Sequence, residues 1–170
     1  MKIEDFFRDV PNFPKEGILF KDITPLLLNY EATKLCLDAL ASTLINRKID
    51  KVIGVESRGF FFGTLLAQKL NAGFVPVRKP KKLPYQTISA SYALEYGTDS
   101  LEIHIDAIQP GDKVVIHDDV LATGGTAEAV CKLVEQLGGE IVQVNFLMEL
   151  TFLNGRNKLP GKELFAAVTY

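Results

Sequence analysis

This chain carries almost no net charge. Over 170 residues, 19 Lys and Arg against 21 Asp and Glu leave a formal charge of -2. No global field therefore draws it to nucleic acid or to an anionic membrane. Cysteine is scarce: Cys36 and Cys131 are the two present. Each lies in a helical pattern among apolar residues, without Cys-x-x-Cys spacing and without a histidine nearby in sequence. They read as small buried thiols, not as metal ligands or a disulfide, and a reducing compartment suits them. Long apolar runs are missing. The longest, around residues 26–28 and 60–62, fall far short of the roughly 20 residues that cross a bilayer. The first residues, Met1-Lys2-Ile3-Glu4-Asp5, are acidic early and lack the apolar stretch of a signal peptide, so a cytoplasmic protein is expected. There is no internal repeat, no low-complexity stretch and no Gly-, Ser- or Pro-rich linker. The marks of disorder are absent too: 47% hydrophobic and 24% charged residues are ordinary for a globular fold.

What is present is an alternation of short apolar runs with helical patterns. Leu37, Leu40, Ala41, Leu44 and Ile45 recur at helical spacing within 31–48. Val52-Ile53-Gly54-Val55 is too brief for a helix and suits a strand buried on both faces. A second helical pattern covers 60–70, and Phe74-Val75-Pro76-Val77 reads as the next strand. Residues 87–94 and 101–105 suggest a strand pair around Glu95-Tyr96-Gly97. Gln109-Pro110-Gly111-Asp112 is a turn, and 113–116 is another buried strand. A helix follows with Ala127, Val130, Cys131 and Val134 on one face, ended by Gly138-Gly139. Residues 141–150 and 164–168 read as further strands. Such alternation predicts an α/β fold with a central, mostly parallel sheet flanked by helices. Ligands in such sheets bind beyond the carboxyl ends of the strands.

Beyond Val114-Val115-Ile116 comes His117-Asp118-Asp119-Val120-Leu121, then Ala122-Thr123-Gly124-Gly125-Thr126 and a helix. A small-residue turn at a helix N-terminus offers backbone N–H groups and the positive end of the helix dipole. Gly124 and Gly125 allow close approach, and Thr123 and Thr126 add hydroxyl donors, so the turn is a phosphate cradle. It is not a Walker A loop, because the lysine of that motif is absent. Two carboxylates beside a phosphate site would repel the phosphate unless they hold something else. Sugar hydroxyls or a magnesium ion are the candidates. A phosphate cradle beside a diol clamp describes a ribose 5-phosphate site. Ser57-Arg58-Gly59, after the strand at 52–55, is a second turn suited to an anion. Arg78, Lys79, Lys81 and Lys82 form the densest basic cluster in the chain.

Residues 115–126 resemble the ribose-phosphate signature of the type I phosphoribosyltransferases. The resemblance implies that Asp118 and Asp119 hold the ribose hydroxyls and that Ala122, Thr123, Gly124, Gly125 and Thr126 bind the 5-phosphate. It places Ser57, Arg58, Gly59, Arg78, Lys79 and Lys82 at the pyrophosphate, with a cis peptide common in the 56–59 loop. His117 stands where the family more often has an aliphatic residue. Residues 13–27 are similar to the N-terminal hood of adenine phosphoribosyltransferases, and 90–97 to their mobile catalytic loop. That implies base contacts from Leu19, Phe20, Lys21 and Leu150, and a proton-transfer role for Glu95. It also implies Mg²⁺ held mainly by substrate with Asp118 or Asp119 as possible protein ligands, phosphoribosyl pyrophosphate and adenine as substrates, and a homodimer. Tyr85-Gln86 departs from the Gly-containing sequence usual in that loop. The expected organisation is one domain over 1–170, with a hood at about 1–30 and a mobile loop at about 82–100. The phosphate motif does not choose the base, so hypoxanthine, guanine or xanthine transfer, or a ligand sensor on the same fold, stay open.

Overall fold

The computed structural model describes residues 2–93 and 97–170. Two compact units divide the chain, Met1–Ala39 and Leu40–Tyr170. In the first, β1 (Arg8–Pro11) and β2 (Leu19–Asp22) form an antiparallel pair. Their register sets charges opposite one another. Asp9 faces Lys21 and Arg8 faces Asp22, giving ion pairs of 2.6 and 3.8 Å. Cross-strand opposite charges stabilise such pairs modestly. The Phe13–Pro14 bond is cis, and Phe13 packs edge-on against Phe20 at 5.0 Å. A short helix α1 (Thr24–Leu27) starts with Pro25 in its first turn, where the missing N–H costs nothing. Helix α2 (Tyr30–Ala41) follows, with the Asn29 side chain accepting the Ala32 N–H at 3.0 Å.

The helical pattern read over 31–48 continues past the helix itself. After Ala41 the chain tightens into successive turns, with Leu44 N–H and Ile45 N–H both donating to the Ala41 carbonyl. Beyond the helix, the Thr43 hydroxyl accepts from the Gln143 side chain at 2.9 Å. The apolar spacing still does its work, because Leu40 and Leu44 are both fully buried.

The second unit is built on a five-stranded sheet in the order β4-β3-β7-β8-β9. These strands are β3 (Lys51–Val55), β4 (Gly73–Val77), β7 (Lys113–Leu121), β8 (Glu140–Glu149) and β9 (Leu164–Thr169). Every pairing is parallel. Helix α3 (Gly59–Lys69) links β3 to β4, and α4 (Gly125–Gln136) links β7 to β8. The antiparallel hairpin β5 (Thr87–Ala93) and β6 (Thr98–His104) forms its own two-stranded sheet. Ile53, Val114, Ile116, Val144 and Phe146 of the sheet, Leu101 and Ile103 of β6, and Val130, Leu133 and Val134 of α4 form one buried cluster. Each such side chain contributes about 1.5–3 kcal/mol on burial. Cys131 belongs to that cluster and Cys36 is also buried; both are free thiols. Helix α4 ends where Gly138 turns left-handed at φ +82°. Gly138 N–H donates to Glu135 O and Gly139 N–H to Val134 O, each at 3.0 Å, the paired bonds that close a helix at glycine.

One boundary moves the chemistry. The strand read at 113–116 runs on to Leu121, because β8 is long enough to pair with it through Leu121–Glu149. Asp118 and Asp119 are therefore held in the sheet ladder at its carboxyl end, and the turn begins only after Leu121.

Candidate active site

Successive residues of a strand point to opposite faces, and at the end of β7 both faces lie beside a cavity of about 360 Å³ lined by Asp118 and Asp119. The same cavity is lined by Ala122 to Thr126, by Ser57 and Arg58, and by Lys79. Residues expected from separate stretches of sequence are thus gathered at the carboxyl ends of β3 and β7. Gly124 adopts φ +85°, and a Cβ there would come within 2.4 Å of the Gly155 carbonyl oxygen. Only glycine fits on both counts. The loop then enters α4 directly, so it lines the cavity at the positive end of a twelve-residue helix, a site for an anion.

The two carboxyls are shaped by burial. Asp118 is raised well above the usual carboxylate range, first by burial and then by the charge of Asp119. Asp119 is also raised by burial, against the opposing pull of Arg58, whose Nε lies 2.7 Å from Asp119 Oδ2. The Asp119 N–H donates to Asp118 Oδ1 at 2.8 Å. Acidic groups so destabilised in their charged form are paired with ligand donors or cations in working sites. Gly59 opens α3 against this strand: a Cβ there would stand 2.9 Å from the His117 carbonyl oxygen and 3.1 Å from Asp118 Oδ1.

The 56–59 turn contains a cis peptide between Glu56 and Ser57. Glu56 itself carried no assignment from the sequence, yet it organises the basic cluster. Arg78 contacts it at 3.3 Å, the Lys79 N–H donates to it at 2.9 Å, and Lys82 pairs with it. Burial opposes its charge, but these donors prevail and hold its carboxyl down at about 2. Lys79 Nζ reaches Asp99 at 2.7 Å, and the Tyr92 hydroxyl donates to the same carboxylate at 3.2 Å. Arg78 and Lys82 are directed to Glu56 and do not line the cavity, whereas Lys79 does. The sequence signal for Glu56 was its place between the end of β3 and the Arg-Gly turn. Tyr92 lay within the 90–97 resemblance but without an assigned role, and Asp99 had no signal beyond lying on a hairpin.

Leu150 directly follows β8, its N–H donating to Leu121 O at 2.9 Å. Leu19, Phe20 and Lys21 lie on β2 of the first unit. Glu95 lies outside the described residues. Among the described residues, no cluster of three His, Cys, Asp or Glu side chains could hold a metal ion. The cavity does offer the hard carboxylate oxygens of Asp118 and Asp119, which suit magnesium if other oxygens complete its shell. No described helix is long and apolar enough to cross a membrane.

Residues 27–158 match the phosphoribosyl transferase domain. This chain belongs to the phosphoribosyltransferase family. It is 73% identical over 170 residues, 100% of each chain, to the adenine phosphoribosyltransferase of Flavobacterium johnsoniae. The crystal structure of adenine phosphoribosyltransferase from Rhodothermus marinus is 55% identical with a TM-score of 0.95, over 99% of this chain and 96% of that one. The Saccharomyces cerevisiae enzyme, solved with an imino-altritol bisphosphate and adenine, is 46% identical with a TM-score of 0.92, over 97% and 96% of the two chains. The parallel sheet flanked by helices is the type I phosphoribosyltransferase fold expected from the sequence. Residues 115–126, which resemble the ribose-phosphate signature of the family, fall on β7 and the start of α4.

Proposed function

We propose that the protein transfers the 5-phosphoribosyl group of phosphoribosyl pyrophosphate to adenine, giving AMP and pyrophosphate in purine salvage. The observation that carries this reading is one cavity holding an acidic pair, a phosphate loop and a basic rim, in a chain 73% identical to an adenine phosphoribosyltransferase. Residues 122–126 take the 5-phosphate through N–H groups and the Thr123 and Thr126 hydroxyls. Asp118 and Asp119 accept hydrogen bonds from the ribose hydroxyls, with Arg58 holding Asp119 in position. Ser57, Arg58, Gly59 and Lys79 face the pyrophosphate, and Glu56 keeps Arg78 and Lys82 beside them. In the reaction the bond from the anomeric carbon to pyrophosphate oxygen breaks and a bond to a purine ring nitrogen forms. Positive charge develops on the sugar, as in glycoside hydrolysis, and the carboxyls of half-buried Asp118 and buried Asp119 can offset it. Asp118 or Asp119 would offer carboxylate oxygens to a magnesium ion held mainly by the substrate, which would supply positive charge against the leaving group. Glu95 takes the proton that the purine nitrogen loses. Residues 87–97, of which 94–96 lie outside the described residues, are the segment expected to exclude water during turnover. Leu19, Phe20, Lys21 and Leu150 recognise the base. A homodimer in the cytoplasm completes the reading, supported by family resemblance and, for the compartment, by the buried free thiols.

Asp118→Asn tests the assignment. Because the folded protein raises the Asp118 pKa, its ionised form costs stability at pH values above the normal carboxylate range, and the amide removes that cost. The variant is expected to unfold at a higher temperature while kcat/KM for phosphoribosyl pyrophosphate falls about a hundredfold. Unchanged kcat/KM would remove Asp118 from the ribose site.

A further inference from the structure

The backbone that supports the phosphate loop from behind belongs to a turn whose sequence gave no functional signal. A short 3-10 turn, Gly155–Lys158, follows β8, and Gly155 is buried. A Cβ on Gly155 would stand 2.3 Å from the Ala122 carbonyl oxygen, and one on Gly124 would stand 2.4 Å from the Gly155 carbonyl oxygen. The two backbones therefore touch with no room for a methyl group on either side. Interiors at this density transmit displacement. A shift of Gly155 becomes a shift of the 122–126 loop.

The next residue, Arg156, fixes that turn. Its Nε and one terminal nitrogen donate to the two oxygens of Glu149 at 2.7 and 2.6 Å. Glu149 is 3% exposed and is paired in register with Leu121, the residue before the loop. The other end of the turn is anchored by Leu159, buried in the core, whose N–H donates to Arg156 O at 3.0 Å. Arg156 does not line the cavity. A bidentate guanidinium–carboxylate pair fixes direction as well as distance, which a lysine cannot reproduce.

We propose that the Glu149–Arg156 pair is a strut that holds Gly155 against the phosphate loop, making Arg156 a positioning residue for 5-phosphate binding. This rests on the assignment of residues 122–126 to the 5-phosphate. The strut supports that loop and not the 56–59 turn, so its loss weakens one end of the substrate selectively.

Titration calorimetry with ribose 5-phosphate, and separately with magnesium pyrophosphate, tests it on wild type, Arg156→Leu, Arg156→Lys and Gly155→Ala. Arg156→Leu and Gly155→Ala are expected to weaken ribose 5-phosphate by about ten- to a hundredfold while pyrophosphate stays within about twofold. Arg156→Lys keeps the cation opposite buried Glu149 and so keeps the fold, and it recovers part of the affinity. Parallel loss of both ligands would show a general structural role and overturn the proposal. So would unchanged ribose 5-phosphate affinity in folded Arg156→Lys and Gly155→Ala. Thr126→Val serves as the control on the loop. If it weakens ribose 5-phosphate and the strut variants do not, the strut alone fails. If Thr126→Val has no effect either, the loop assignment fails and the strut with it.

Discussion

His117 occupies a fully buried position between Ile116 and Asp118, with Nδ1 2.9 Å from Asn145 Oδ1. The Asn145 amide nitrogen donates to Leu40 O and to Gln143 Oε1. Its oxygen is therefore the atom facing the ring, and His117 Nδ1 carries the proton. Nε2 is then a lone pair, and it has no partner among the described residues. Burial lowers the imidazole pKa from 6.5 to about 4, against the opposing effect of Asn145. The folded protein thus binds fewer protons than the unfolded chain between those values. Stability from neutral His117 is present above pH 6.5 and is lost as pH falls toward 4. At about pH 5 the loss is about 2 kcal/mol. His117→Val removes this dependence but strips Asn145 Oδ1 of its donor, at about 1 kcal/mol. Urea unfolding should rank wild type above the variant at neutral pH and below it at about pH 5. Parallel pH profiles would show that His117 does not titrate with folding. Among the residues themselves, Asp118, Asp119 and the glycines of the loop were legible because their chemistry is local in sequence. Glu56 and Arg156 were not, since their partners lie more than twenty residues away in one case and across a turn without motif in the other.

The elements were legible where apolar period and length agree. The brief runs at 52–55 and 74–77 became parallel neighbours, and the face carrying Ala127, Val130, Cys131 and Val134 is buried as read. Boundaries set by a partner were not. The end of β7 is fixed by β8, and the chain leaves α2 in turns closed on the Ala41 carbonyl. The close approach of α3 to β7 was equally invisible, since it depends on a glycine whose need is spatial. Gly59→Ala would press a methyl group to 2.9 Å from the His117 carbonyl oxygen. Backbone cannot yield as a side-chain tip can, so destabilisation of about 1–3 kcal/mol is expected. Because Asp118 Oδ1 is the next neighbour, KM for phosphoribosyl pyrophosphate should rise as well. Thermal unfolding and initial rates check both effects, and an unchanged Tm with unchanged KM would contradict this account of the α3–β7 contact.

Across the whole molecule, family and fold follow from the α/β alternation together with one signature, and the parallel sheet places that signature at its carboxyl edge. Base choice has a different basis: it comes from the resemblance of 13–27 and 90–97, and from the relatives. The most direct measurement offers the purified protein phosphoribosyl pyrophosphate and Mg²⁺ with adenine, hypoxanthine, guanine or xanthine in parallel. Formation of AMP and pyrophosphate with adenine alone is the predicted result. Turnover with another base instead would contradict the assigned substrate while keeping the ribose 5-phosphate site. No turnover with any base, despite tight binding of phosphoribosyl pyrophosphate, would contradict the enzymatic reading itself.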